Sequence, residues 1–178
     1  MKINQKGYSL IELITVIVIF VIIFTVTVVN FRAGERTQEL RLVADQVATE
    51  IRKAQTQALA GIGEDTDLSI DYGLFFISGF GSYAIFKDTD SDKEFDAPEE
   101  LIRSIILPEG VTVSEVSTDT LPLNIIFEPP KPVIYINGST AALSAEITLM
   151  HDGVTSKKAV INLNRVTGRV NSELVTIP

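Results

Sequence analysis

The chain has 178 residues, a formal net charge of −8 and no cysteine. Without thiols, disulfides, thiolate metal sites and thiol catalysis are excluded. So acidic a chain is not drawn as a whole to nucleic acid.

Residues Lys6 to Glu12 read K-G-Y-S-L-I-E and run into an uncharged, apolar stretch from Leu13 to Phe31, so that Glu12 is the only charge between Tyr8 and Phe31. A carboxylate inside a membrane-length helix costs roughly 2.5 to 3.5 kcal/mol, so such a residue has an assigned partner. Nothing in the next eighteen residues can pair with it. A lipid headgroup, a group on another subunit or an amine created by processing could. Cleavage after Gly7 would leave Tyr8 with a free α-amine four residues before Glu12.

Neither a secretory signal nor an ordinary anchor fits the apolar run as well. A secretory signal has an apolar core of about 7 to 15 residues ending at a small-residue cleavage site, whereas this run continues to Phe31 without such an exit. An ordinary anchor needs about 20 residues and accounts for neither the Gly-aromatic junction nor the Glu five residues on. Lys2 and Lys6 on one flank place the N-terminus in the cytoplasm and residues after about 32 outside.

The leader residues resemble the class III leader of type IV pilins and type II secretion pseudopilins. The resemblance implies that a prepilin peptidase cuts between Gly7 and Tyr8, that Tyr8 is then N-methylated, and that Glu12 is the acid at the fifth mature position used in assembly. Lys2 and Lys6 match the basic leader; Tyr8 is less usual than Phe or Met at its position. Loss of the two leader lysines would take the net charge from −8 to −10. It further implies a single-pass protein of the inner (cytoplasmic) membrane that later joins a filament in the periplasm or on the cell surface. Its partners would be other pilin or pseudopilin subunits, the peptidase and methylase, an inner-membrane assembly platform, and membrane lipid before assembly.

Beyond the span, apolar residues recur at Leu40, Val43, Val47, Ile51, Ala54 and Ala58, with Glu39, Arg41, Glu50, Arg52 and Lys53 mostly elsewhere, which predicts continuation of the same helix as an amphipathic half. Gly34 is the one expected bend, and Gly61 and Gly63 are expected to stop the helix. From Tyr8 to about Ala60 it would span roughly 80 Å.

Strands are predicted at Leu68 to Ile77, Ser82 to Lys87, Leu101 to Leu107, Val111 to Val116, Leu123 to Phe127, Pro132 to Ile136, Ala145 to Met150 and Lys158 to Leu163. These runs are rich in β-branched and aromatic residues and bounded by Gly, Pro, Asn or Asp. His151-Asp152-Gly153 and Thr167-Gly168 read as hairpin turns. The expected fold is α+β: a long N-terminal helix packed on a small antiparallel β-sandwich head. Its organisation would be a leader at 1–7, a membrane and filament-core helix at 8–31, the amphipathic half at 32–61 and the head at 62–178.

Short stretches also resemble GspH/FimT-type minor subunits: the helix segment Leu42-Val43-Ala44 through Arg52-Lys53-Ala54-Gln55-Thr56-Gln57-Ala58, Ser82 to Asp88, Ile105 to Val111 and Thr167-Gly168-Arg169-Val170. This implies a minor pilin or pseudopilin that assembles into or primes a type IV pilus or a type II secretion pseudopilus. A filament-tip subunit that binds DNA or a surface is the alternative.

The loop from Asp88 to Glu99 can be aligned with a twelve-residue EF-hand loop. Asp88, Asp90 and Asp92 take positions 1, 3 and 5, Phe95 the apolar position 8, Asp96 position 9 and Glu99 position 12. Such hard oxygen ligands suit Ca²⁺. Lys93 stands where the motif wants Gly and its charge opposes a cation, so a solvated acidic turn remains the other reading. No cofactor is required by either. Lys157, Lys158, Arg165 and Arg169 form a basic quarter with no acid from Val154 to Val170. Gly168-Arg169 matches half of a Gly-Arg-x-Arg element through which some FimT-like subunits bind DNA. A solvated hairpin, or a contact with an acidic neighbour, is the competing reading and leaves nucleic acid the weaker partner.

No enzymatic activity is expected. His151 is the only histidine and lies in a turn, there is no nucleophile motif and no phosphate-binding glycine loop, and Gly79-Phe80-Gly81 reads as a turn.

Overall fold

A computed structural model describes residues 9–60, 71–117, 122–129 and 133–177, without the side chains of residues 28–33. The leader with Gly7 and Tyr8, and the expected helix stop at Gly61 and Gly63, lie outside the described residues.

One helix, α1 (Leu10–Ala60, 51 residues), runs from the apolar span into the head and is uninterrupted at Gly34. At 1.5 Å per residue it is about 77 Å long. Its two halves differ in what surrounds them. From Leu10 to Thr27 every side chain is exposed. The expected apolar positions Leu40, Val43, Val47, Ile51, Ala54 and Ala58 are buried, joined by Ala44 and Ala48. The extra alanines follow from helical geometry, because residues one position around the 3-and-4 stripe widen it into a face.

Among the described residues nine strands follow: β1 (Asp71–Phe76), β2 (Ser82–Asp88), β3 (Leu101–Ile106), β4 (Val111–Val116), β5 (Leu123–Glu128), β6 (Val133–Ile136), β7 (Ser144–His151), β8 (Val154–Asn164) and β9 (Val170–Thr176). They form two antiparallel sheets, ordered β3-β2-β1-β5-β6 and β4-β7-β8-β9. The α+β expectation therefore holds, and eight of the strands fall where β-branched and aromatic runs place them. The ninth, β9, lies outside those runs. Only Val170 of that strand is buried, the intervening residues being polar or partly exposed.

Tertiary bonds fasten β9 to the helix. Arg52 donates to the Val170 carbonyl at 2.8 Å, and the Ser172 hydroxyl donates to Asp45 at 2.6 Å. Helix α1 packs against β8, β9 and β7 of one sheet and β1 and β5 of the other. Its buried face thus joins the inner faces of both sheets in one cluster that includes Leu74, Phe76, Ile125, Ile147, Ile161 and Leu163. The sheets are also linked at one edge, where Gly79 N–H donates to the Val113 carbonyl at 2.7 Å and Val113 N–H to that of Phe80 at 2.9 Å.

On the outer face of the five-stranded sheet, Gly73 lies under the Phe86 ring, and a Cβ there would overlap three of its carbons. Phe86 is fully buried and is held from above by Phe95, with ring centroids 5.0 Å apart. Gly73→Ala is therefore expected to destabilise the head by about 1 to 3 kcal/mol. Gly153→Ala is the control, because there the new methyl meets only the movable end of exposed Arg36. Thermal unfolding of both variants checks this; equal transitions would mean that Phe86 has room to retreat.

Candidate functional site

Glu12 lies in the first turn of α1, whose opening bonds run from the Glu12 and Leu13 amides to the Ser9 carbonyl at 3.0 and 3.2 Å. An acid there is favoured by the positive end of the helix dipole. Leu10–Thr27 is long and apolar enough to cross a membrane, with a mean hydropathy of 2.9 and none of it buried against the head. Its three threonines, Thr15, Thr25 and Thr27, each donate their hydroxyl to the carbonyl four residues earlier at 2.8 Å. Polar side chains are thereby satisfied within the helix itself, which an apolar surrounding requires.

The acidic loop between β2 and β3 folds back over the outer face of the five-stranded sheet. Phe95 anchors it on Phe75 and Phe86, with ring centroids 4.8 and 5.0 Å apart. Glu100, nearly fully buried, ties both ends: one carboxylate oxygen accepts from Thr89 N–H at 2.7 Å and the other from Asp96 N–H at 3.0 Å. Asp88, also buried, accepts from the backbone amides of Ser91 at 2.7 Å and Lys93 at 3.1 Å. Ser91 and Lys93 have φ of 66° and 67°, the left-handed region that a sharp turn demands. Lys93 thus adopts the conformation for which the aligned calcium motif uses Gly.

The Lys93 ammonium turns inward. It contacts the buried carboxylate of Asp71, lies 3.8 Å from Asp88 and sits over the Tyr135 ring at 5.2 Å from its centroid. Burial pulls Lys93 down, but its bond to Asp71, and the charges of Asp71, Glu128 and Asp88, outweigh this and hold it above its ordinary value. Burial pushes Asp71 and Asp88 up while Lys93 pulls both back. Direct contact between ammonium and carboxylate favours the charged pair.

The loop could offer oxygens to a hard cation in two overlapping groups, Asp88 with Asp90 and Glu100, and Asp90 with Asp92 and Asp96, each within 4.8 Å. Glu99, aligned with position 12, is exposed and belongs to neither group; its neighbour Glu100 is the residue that turns in. Asp96 is held above its ordinary value by local desolvation and by Asp92, Asp90, Glu100 and Glu99. Both Asp88 oxygens are already bonded to amides, and Lys93 supplies a positive charge beside it. The donor set fits a cation at its exposed side, around Asp90, better than at its buried one.

The basic quarter is not one surface. Lys157 and Lys158 are at the start of β8 and alternate in direction, whereas Arg165 follows its end; eight residues of strand separate Lys157 from Arg165, roughly 26 Å. Lys158 lies 3.9 Å from Glu115, Arg165 donates to the Ala142 carbonyl at 2.7 Å, and Arg169 donates to Asn171 at 3.1 Å. His151, expected in the turn, is instead the buried last residue of β7, with the turn at Asp152-Gly153: its Nδ1 accepts from Gly153 N–H at 2.9 Å and Nε2 is 3.6 Å from Glu39.

Sequence reasoning missed Asp71 and Glu100 as parts of the loop. A charged residue opening a run as apolar as Tyr72 to Ile77 was the available signal for the first; nothing distinguished Glu100 from Glu99.

No curated protein and no solved structure matches the chain. A family model does: residues 2–28 match the prokaryotic N-terminal methylation motif. That segment contains Gly7, Tyr8, Glu12 and most of the exposed apolar half of α1. The chain carries a type IV pilin-like prepilin leader, and its apolar N-terminal helix fits the membrane anchor of such a structural, processed subunit.

Proposed function

We propose that the protein is a minor pilin or pseudopilin, of GspH/FimT type, that assembles into or primes a type IV pilus or a type II secretion pseudopilus. Cleavage falls between Gly7 and Tyr8, Tyr8 is N-methylated, and the membrane holds the subunit until it is extracted. In the filament the apolar halves of α1 pack together and lipid is replaced by like helices. Glu12 then meets the N-terminal amine of an adjacent subunit, a pairing strengthened by low dielectric that fixes the axial register.

The observation that carries this reading is the coincidence of the methylation motif at residues 2–28 with one helix that is exposed from Leu10 to Thr27 and contributes to the head's core from Leu40 onward. Mass spectrometry of the chain isolated from its native host tests it. The N-terminal peptide is expected to start at a methylated Tyr8, and Gly7→Ala should affect this processing. A mature chain that begins at Met1 would refute the reading. The tip-binding alternative has less support, since the four candidate cations do not converge.

A further inference from the structure

Strand β3 is an edge of the five-stranded sheet, and from Arg103 to Ile106 it is regularly paired on one side and open on the other. Among the other described edges, β6 has only four residues, β4 carries Glu115 at an irregularity, and β9 carries Glu173. β3 reads Leu-Ile-Arg-Ser-Ile-Ile, and its one charge, Arg103, lies 3.1 Å from Glu50 of α1. A register shift near Ile102 leaves Arg103 to Ile106 regularly paired.

Which backbone groups face outward follows from antiparallel alternation. Leu107 N–H donates to the Gly81 carbonyl at 2.9 Å, and the ladder continues through Tyr83↔Ile105 and Ile85↔Arg103. The intervening pairs, Ser82↔Ile106 and Ala84↔Ser104, therefore turn the amides and carbonyls of Ser104 and Ile106 away from β2.

Ser104, with Ser82 and Ala84 of β2, edges an apolar groove of about 210 Å³ on the outer face of the sheet. Ser82, Ala84 and Ser104 make a small-residue floor; Phe75, Phe80 and Phe95 are the large walls. Ile106 is 82% exposed and Phe80 54%. At the Leu101 end the groove meets Phe95 and Ala97 of the acidic loop, whose exposed chain neighbours Glu94 and Asp96 bring negative charge to that mouth.

We infer that β3 and this groove bind an extended segment of a different protein chain, which adds a strand to the edge, seats a bulky apolar side chain over Ser104 and Ala84, and carries a Lys or Arg toward the Leu101 end. Main-chain bonds would supply the affinity and the alternate side chains the specificity. Charge argues against a second copy. Two β3 strands paired antiparallel would set each acidic mouth beside an Ile106 end, and the only cation of β3, Arg103, is engaged with Glu50. This inference stands independently of the assembly role of Glu12.

The test uses the full chain in lipid nanodiscs and capped heptapeptides of sequence Lys-Thr-Val-Thr-Phe-Thr-Val, with the Lys at either end, together with twins that have Glu for Lys. A Lys peptide is expected to bind at least tenfold tighter than its Glu twin and to protect the Ser104 and Ile106 amides from hydrogen exchange. Ala84→Leu, which fills the groove, and Ser104→Pro, which removes an outward amide, should each weaken binding at least tenfold. Ser104 is exposed, so Ser104→Pro alone decides if Ala84→Leu fails to fold. No binding, equal binding of the twins, or protection elsewhere would overturn the inference. So would a peptide-free dimer abolished by Ser104→Pro, which would assign the edge to a second copy.

Discussion

Glu12→Ala is expected to insert and be cut as the native chain is, yet to be depleted at least tenfold from filaments. Two free energies produce this. In the bilayer the carboxylate is a liability of roughly 2.5 to 3.5 kcal/mol, so its removal stabilises the membrane-held pool. In the proposed filament pairing the adjacent subunit's N-terminal ammonium would lose its counterion, and an uncompensated charge in an apolar bundle costs roughly 3 to 5 kcal/mol. Both terms move the subunit in the same direction, out of the filament. Glu12→Gln separates charge from shape and should fail nearly as badly. The readout is the ratio of processed subunit in sheared filaments to that in membranes; native incorporation of Glu12→Ala would remove the pairing from the mechanism.

Lys93→Met is expected to destabilise the head by about 3 kcal/mol or more, because it leaves the buried carboxylates of Asp71 and Asp88 without their cation. Both side chains are unbranched, so the cost of the left-handed backbone at this position is unchanged. The pH dependence identifies the cause. Lys93 is raised above its ordinary 10.5, so its contribution is complete below that value and is lost as pH rises through its folded value. Asp71 and Asp88 are raised above 3.8, so the penalty of keeping them charged is relieved as pH falls through their folded values. The gap between native and variant chains should therefore be widest near neutrality and narrow on both sides. Chemical denaturation across pH reads this directly; a gap that does not change with pH would mean that packing against Tyr135, not charge, is what was lost.

The parts of this molecule legible in its sequence are those governed by local repetition. The 3-and-4 spacing from Leu40 to Ala58 located the buried stripe of α1, because helical geometry turns spacing into a face. Runs such as Leu123 to Phe127 gave strands because β-branched and aromatic residues suit a buried pleat. β9 escaped because Asn171, Ser172 and Glu173 interrupt its apolar pattern, and its attachment depends on Asp45 and Arg52, more than a hundred residues away. The acidic loop was visible as a run of carboxylates with Phe95 as its apolar member. Its organisation was not, since the ion pair of Lys93 with Asp71 joins residues 22 apart and only the sheet brings them together.

The single rod of α1 has a mechanical consequence. Ile51, fully buried at the heart of the head, and Leu13, in the apolar stretch, belong to the same hydrogen-bonded cylinder. A pull on the lipid-facing end is delivered to the core as a sliding load across both sheets, with no slack linker to absorb it. On the proposed assembly route, extraction from the bilayer would therefore load the cohesion of the folded head as well as the grip of the lipid.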